Sequence, residues 1–77
     1  MYEADVWHRF EMKVNAKSVV FEVAAQRSNL YFREGPIHSE LRTKRVHFNS
    51  ESAAVEEMQR MMDERTKRGF QHVASKL

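Results

Sequence analysis

The chain of 77 residues has no cysteine, only two glycines and a single proline. The absence of cysteine excludes disulfide bonds and thiolate metal sites. Two glycines are too few for a glycine-rich loop that cradles phosphate groups. No segment approaches the ~20 consecutive apolar residues that a membrane-spanning helix needs. The stability of so small a domain must therefore come from one small core, from assembly or from a partner.

The composition is that of a folded domain rather than a disordered segment, because 42% of the residues are hydrophobic and 31% are charged. The length predicts one domain over residues 1–77. Residues 1–15 contain no basic segment followed by an apolar one, so we expect a cytoplasmic protein with no membrane partner. The balance of 13 basic and 11 acidic residues indicates little about other partners.

The segment that begins at Ser50 has the features of a complete amphipathic helix. Ser50 is a good N-cap, and Glu51 places negative charge at the positive end of the helix dipole. Lys67 and Arg68 suit the C-terminal end, and Gly69 can turn left-handed after it. We therefore predict a helix over residues 51–68. Its apolar stripe consists of Ala54, Val55, Met58, Met61 and Met62.

Before the helix, apolar and polar residues alternate with a period of two, which is typical of strands. The alternation predicts strands over residues 6–14 and 19–24, with turns at 15–17 and 27–29. A third strand begins at Leu30, and Gly35-Pro36 is predicted to end it and to start a fourth strand that reaches Phe48, with a bulge within residues 42–45. Residues 70–73 are a candidate for a short edge strand.

These elements predict an α+β fold: an antiparallel sheet of about four strands with one long C-terminal helix packed on one face. A helix with one apolar face must bury that face against another element. Because the segments before the helix are predicted to be strands, the sheet is the expected packing partner. The core is therefore expected between the helix and the sheet.

A pattern of single residues runs through the second half of the chain: Gly35, Phe48, the small residue Ala54 in the helix, and the closing sequence Lys67-Arg68-Gly69-Phe70. Over residues 30–70 this pattern resembles a WGR domain. In the eukaryotic poly(ADP-ribose) polymerases, WGR domains help to recognise DNA ends and contact neighbouring domains. The resemblance therefore implies a binding module with nucleic acid as its partner.

The chain departs from the WGR pattern at the motif itself. Glu34 stands where the family has tryptophan, and Pro36 stands where it has arginine. A carboxylate repels phosphate, and proline carries neither charge nor a donor, so the family's DNA-end contacts are not expected here. What remains is a looser basic surface formed by Arg42, Lys44, Arg45, Lys67 and Arg68.

The strand alternation predicts a second candidate surface on the sheet face away from the helix. The side chains expected there are Trp7, Arg9, Lys13, Tyr31 and Arg33. Aromatic rings mixed with basic side chains are typical of a surface on which nucleobases stack, and equally of a protein-protein hot spot. They are also consistent with a cross-strand pair, Trp7 with Tyr31, that merely shields the sheet.

No set of residues in the sequence indicates catalysis, and we predict no catalytic residue, no metal site and no cofactor. The four histidines, His8, His38, His47 and His72, are scattered along the chain. We expect a non-enzymatic binding module without a small-molecule substrate. Nucleic acid is the first expected partner. The alternative is a protein partner, or a homodimer, bound through the aromatic sheet face.

Overall fold

The structure is a computed structural model, and it describes residues 7–73. In chain order the elements are β1 (His8–Val14), β2 (Lys17–Gln26), β3 (Asn29–Pro36), β4 (Lys44–His47), α1 (Glu51–Lys67) and β5 (Gln71–Val73). The strands form one antiparallel sheet in the order β4-β3-β2-β1-β5. The predicted α+β fold is confirmed, with five strands rather than about four. Within the described residues, no helix has the length and apolar character needed to span a membrane.

Two tight turns fix the register of the three longest strands. Val14 lies opposite Lys17 across the first turn, and Gln26 lies opposite Asn29 across the second. Each turn contains a residue with positive φ, 60° at Asn15 and 57° at Arg27. Asparagine tolerates this left-handed conformation well, and both turns coincide with the predicted ones.

Helix α1 begins and ends as the sequence predicts, to within one residue. The Ser50 hydroxyl accepts a hydrogen bond of 3.2 Å from the Ala53 amide. Gly69 has a φ of 110°, and the Phe70 amide donates to the Arg65 carbonyl at 2.9 Å. A residue with a Cβ would be strained at this φ, so glycine allows the chain to leave the helix and enter β5.

The core lies between α1 and one face of the sheet. Phe21 is 0% exposed, and its ring centre lies 6.2 Å from that of Phe10 on β1. One member of the predicted helix stripe is placed wrongly, because Val55 is 43% exposed and lies outside the core. The buried core cluster consists of Phe10, Phe21, Val23, Leu30, Met58, Met61 and Phe70.

The segment around Gly35-Pro36 differs from the prediction. The β3 strand runs on through Pro36, the chain then forms a loop over residues 37–43, and β4 has only four residues, so no long bulged strand forms. The loop returns close to the sheet: a Cβ on Gly35 would lie 2.6 Å from Cδ2 of Leu41. A side chain at position 35 would therefore displace the end of the Leu41 side chain, and glycine avoids this.

The loop covers part of the sheet face away from the helix. Gly35 lies opposite Val20 in the register, and alternation places both on that face. Val20 and Ala24 are buried there although neither belongs to the core under the helix. The second sheet face is thus partly an interior surface.

We expect Phe21→Ala to lower the free energy of unfolding by about 3–5 kcal/mol, because it removes a buried ring at the centre of the core. The matched control is Val55→Ala, which also truncates an apolar side chain but at an exposed helix position. Urea unfolding followed by circular dichroism measures both. Similar losses for the two variants would contradict this description of the core.

Candidate functional site

The arginines of the second sheet face are bound to a central carboxylate. Arg9, Glu22 and Arg33 lie directly opposite one another on β1, β2 and β3. Arg33 Nε donates to Glu22 Oε1 at 2.6 Å, and Arg9 Nη1 donates to Glu22 Oε2 at 3.1 Å. Arg9 Nε also donates to Glu11 at 2.9 Å. The Glu22 side chain is only 13% exposed, whereas Arg9 and Arg33 remain about one-third exposed, so the network is partly buried.

The two aromatic residues expected on this face are not an open platform. Tyr31 is 8% exposed, which corrects the expectation that it faces solvent. The guanidinium carbon of Arg33 lies 4.2 Å from the Trp7 ring centre, and Arg33 Nη1 donates to Thr43 Oγ1 at 3.3 Å. Trp7 is half-buried under this arginine. Within residues 7–73, no phenylalanine, tyrosine or tryptophan is exposed.

The three bases near β4 are in a different situation. Arg42, Lys44 and Arg45 are all exposed, and none of them forms an ion pair with another residue between positions 7 and 73. β4 is the last strand at its edge of the sheet. Since Lys44 lies opposite Phe32 and Arg45 opposite Tyr31, the two bases lie on opposite faces of this edge. We call residues 42–47 the basic β4 segment.

The sequence analysis missed a fourth base in this region. Arg27, in the turn between β2 and β3, is exposed. The turn lies beside the end of β4, because His47 pairs with Asn29 and the Phe48 amide donates to the Ser28 carbonyl at 2.8 Å. The predicted turn at 27–29 was the available signal, but the position of β4 beside it depends on strand pairing between distant residues.

The two bases at the helix end lie away from the basic β4 segment. Lys67 and Arg68 are exposed and precede Gly69, where an added Cβ would lie 3.4 Å from the Met12 sulfur on β1. Three strand spacings separate β1 from β4, which is about 14 Å. The structure therefore divides the predicted basic surface into two separate groups.

Glu34 and Pro36 are the two residues at which the sequence departs from the WGR pattern. In the structure Glu34 binds a helix residue and Pro36 ends a strand. Arg65 Nη2 on the helix donates to Glu34 Oε1 at 2.8 Å. The Arg65 guanidinium carbon lies 4.2 Å from the Phe21 ring centre. Pro36 is the exposed last residue of β3. Glu34 thus joins the sheet to the helix.

Two of the four histidines are neighbours. The ring centres of His8 on β1 and His72 on β5 are 5.9 Å apart, and the His72 ring stacks on Phe10 with centres 4.7 Å apart and an interplanar angle of 24°. Burial, together with the proximity of His72, lowers the pKa of His8. Among the described residues, no group of three or more histidine, cysteine or acidic side chains is arranged to hold a metal ion.

Comparison with known proteins shows the fold and no more. No family model matches the chain, and no curated protein matches it. A crystal structure of a Bacteroides fragilis protein, determined by a structural genomics consortium, is similar with a TM-score of 0.84 and 14% sequence identity over 90% of this chain. The aligned region is 20% of that protein, so this chain spans about a fifth of its length. At such low identity the likeness carries no activity or partner over to this chain.

We expect Glu22→Gln to lower the free energy of unfolding by about 1–3 kcal/mol, because it removes the carboxylate partner of the partly buried Arg33 and one of the two carboxylate partners of Arg9. The fluorescence of Trp7 should change with it, since Arg33 lies on that ring. The control is Glu56→Gln on the exposed side of the helix. Equal unfolding midpoints and unchanged fluorescence in both variants would refute the structural role of Glu22.

We also expect the lowered pKa of His8 to make stability depend on pH. Below the ordinary histidine pKa of about 6.5, the unfolded chain binds the proton more readily than the folded one, so the free energy of unfolding falls as the pH is lowered from about 7.5 to 5.5. His8→Phe removes this titration and should flatten the profile. His47→Gln, at an exposed position on the other edge of the sheet, should retain the wild-type profile. Urea midpoints at several pH values measure the effect.

Proposed function

We propose that this domain is a non-enzymatic binding module that binds nucleic acid through the basic β4 segment. The observation that carries the proposal is the contrast between the two groups of bases. Arg9 and Arg33 are ion-paired with Glu22, whereas Arg42, Lys44 and Arg45 are exposed and have no ion pair within the described residues.

The contrast matters because binding of a polyanion is driven by cations that neutralise phosphates and release condensed counterions. An arginine that already contacts a carboxylate must lose that contact, or share it, before it can bind a phosphate. Exposed bases at a sheet edge lose only water. The basic β4 segment, with Arg27 beside it, therefore offers the less costly contact.

The proposal includes the kind of contact. Stacking of nucleobases on large aromatic rings needs those rings exposed, and within residues 7–73 every phenylalanine, tyrosine and tryptophan side chain is buried or half-buried. Binding is therefore proposed to rely on phosphate contacts, which fix position but carry no sequence information. We expect affinity that depends strongly on salt and weakly on sequence.

The resemblance to WGR domains is consistent with nucleic acid as the partner. We propose a WGR-like module that contacts nucleic acid through β4 and not through the end of β3, where the sequence resemblance places the WGR motif. The motif positions are occupied by Glu34, which is bound to Arg65, and by Pro36. Neither side chain can donate a hydrogen bond to a phosphate. The basic β4 segment follows the end of β3 after a short loop and supplies hydrogen-bond donors that Glu34 and Pro36 lack.

The alternative function is contact with a protein, or homodimer formation, through the aromatic sheet face. The half-buried Trp7 with its covering Arg33 is the observation in its favour, because tryptophan and arginine are enriched at interaction hot spots. The burial of Tyr31 and the ion pairs that Arg9 and Arg33 form with Glu11 and Glu22 reduce what this face offers. We therefore place it second.

The test is fluorescence anisotropy of labelled DNA and RNA oligonucleotides over a range of salt concentrations. The variant Lys44→Gln with Arg45→Gln should weaken binding and reduce the slope of log K against log salt by about two units, at about 0.9 per phosphate contact. The control is Lys13→Gln with Lys17→Gln, which removes the same charge from the exposed end of the β1–β2 hairpin.

Equal losses in the two double variants would show that only net charge matters and would refute the β4 site. Absence of binding by the wild-type protein at low salt would refute the nucleic-acid function. Sedimentation velocity on the same samples addresses the alternative: a wild-type dimer that Trp7→Ala converts to a monomer would favour the aromatic sheet face.

A further inference from the structure

We infer that His8 and His72 form a two-histidine site for a first-row divalent metal ion of the Zn²⁺, Ni²⁺ and Cu²⁺ class, and that this ion ties β5 to β1. The two residues lie near opposite ends of the chain, and the antiparallel pairing of β1 with β5 brings them together. Their ring centres are 5.9 Å apart. This site is separate from the basic β4 segment and does not depend on the proposed function.

The separation of the rings fits shared coordination of one ion. A metal–nitrogen bond is about 2.1 Å long, so each imidazole centre lies about 3 Å from the ion and two rings on one ion have centres about 5–6 Å apart. The observed distance lies at the upper end of that range.

The surroundings favour the ligand form of the rings. Imidazole binds metal only in its neutral form, and the half-burial of His8 disfavours the charged ring. The stacking of His72 on Phe10 restricts the orientation of the second ring. Val23, the residue opposite His8 on β2, is apolar. The neighbouring cation on β1, Arg9, points to the other sheet face, where it binds Glu11 and Glu22.

The donor set decides the class of ion. Imidazole nitrogen suits Zn²⁺, Ni²⁺ and Cu²⁺, whereas Mg²⁺ and Ca²⁺ prefer oxygen ligands. No third histidine, cysteine or acidic side chain among the described residues completes the site. Two protein nitrogens with water in the other positions give reversible binding rather than a permanently held structural ion.

The structural consequence concerns β5, which has three residues and, within residues 7–73, pairs only with β1. An ion held by His8 and His72 links this strand to β1 by a second means besides the backbone ladder. Since the ligands are far apart in sequence, the unfolded chain must close a long loop to bind the ion equally well. Binding therefore favours the folded state and raises its stability by mass action.

The experiment is thermal unfolding of the protein, free of any polyhistidine tag, with Zn²⁺, Ni²⁺ or Mg²⁺ added at equal ionic strength. We expect a saturable rise of several degrees in Tm with Zn²⁺ and Ni²⁺ and none with Mg²⁺. His72→Phe keeps a ring on Phe10 but has no ligand nitrogen, and His8→Gln removes the other ligand. Each change should abolish the rise. The matched control, His38→Gln with His47→Gln, removes the two other histidines and should retain it.

A second measurement needs no variant. Paramagnetic Cu²⁺ at substoichiometric amounts should broaden the amide resonances of residues 8–10 and 71–73 before any others. Broadening centred on His38 or His47 would overturn the inference. So would a wild-type Tm that Zn²⁺ and Ni²⁺ do not change, or a rise that persists in either His8→Gln or His72→Phe.

Discussion

The register of β2 is the constraint on which both faces of this domain depend. Phe21 points into the core, where it meets Phe10 and lies under the Arg65 guanidinium, and the next residue, Glu22, points to the other face and binds two arginines. Because successive strand residues alternate between faces, a slip of one residue would bury Glu22 under the helix and expose Phe21. The same pairing that builds the core thus also assembles the charge network.

This constraint decides which bases are available to a ligand. Seen in the sequence alone, the arginines on β1 and β3 are as suitable for a phosphate as those near β4. The sheet places the carboxylate of Glu22 between Arg9 and Arg33, and each of them forms an ion pair with it. Among the described residues, β4 has no neighbour on its outer side, and Arg42, Lys44 and Arg45 are exposed. Bases on an edge strand also discourage edge-to-edge aggregation, and the two roles are compatible.

Local signals predicted the elements that local interactions determine. The Ser50 cap, the helix periodicity and Gly69 fix α1, and the turn residues fix both hairpins. The loop over residues 37–43 was not predictable in the same way, since its path depends on Leu41 packing against Gly35, whose glycine was interpreted as a strand break. The burial of Tyr31 and the proximity of His8 to His72 are likewise set by contacts between distant parts of the chain.

The pairing of Glu34 with Arg65 gives a physical reason for a carboxylate at this position of β3. Arg65 is the base that the helix directs at the sheet: its guanidinium lies over Phe21, and its two terminal nitrogens bind Glu34 and Glu64. An arginine so nearly buried needs a carboxylate on the strand below, because an unpaired buried charge is strongly destabilising. Glu34 supplies it. Through this contact Glu34 holds the helix on the sheet, and its carboxylate is bound by Arg65.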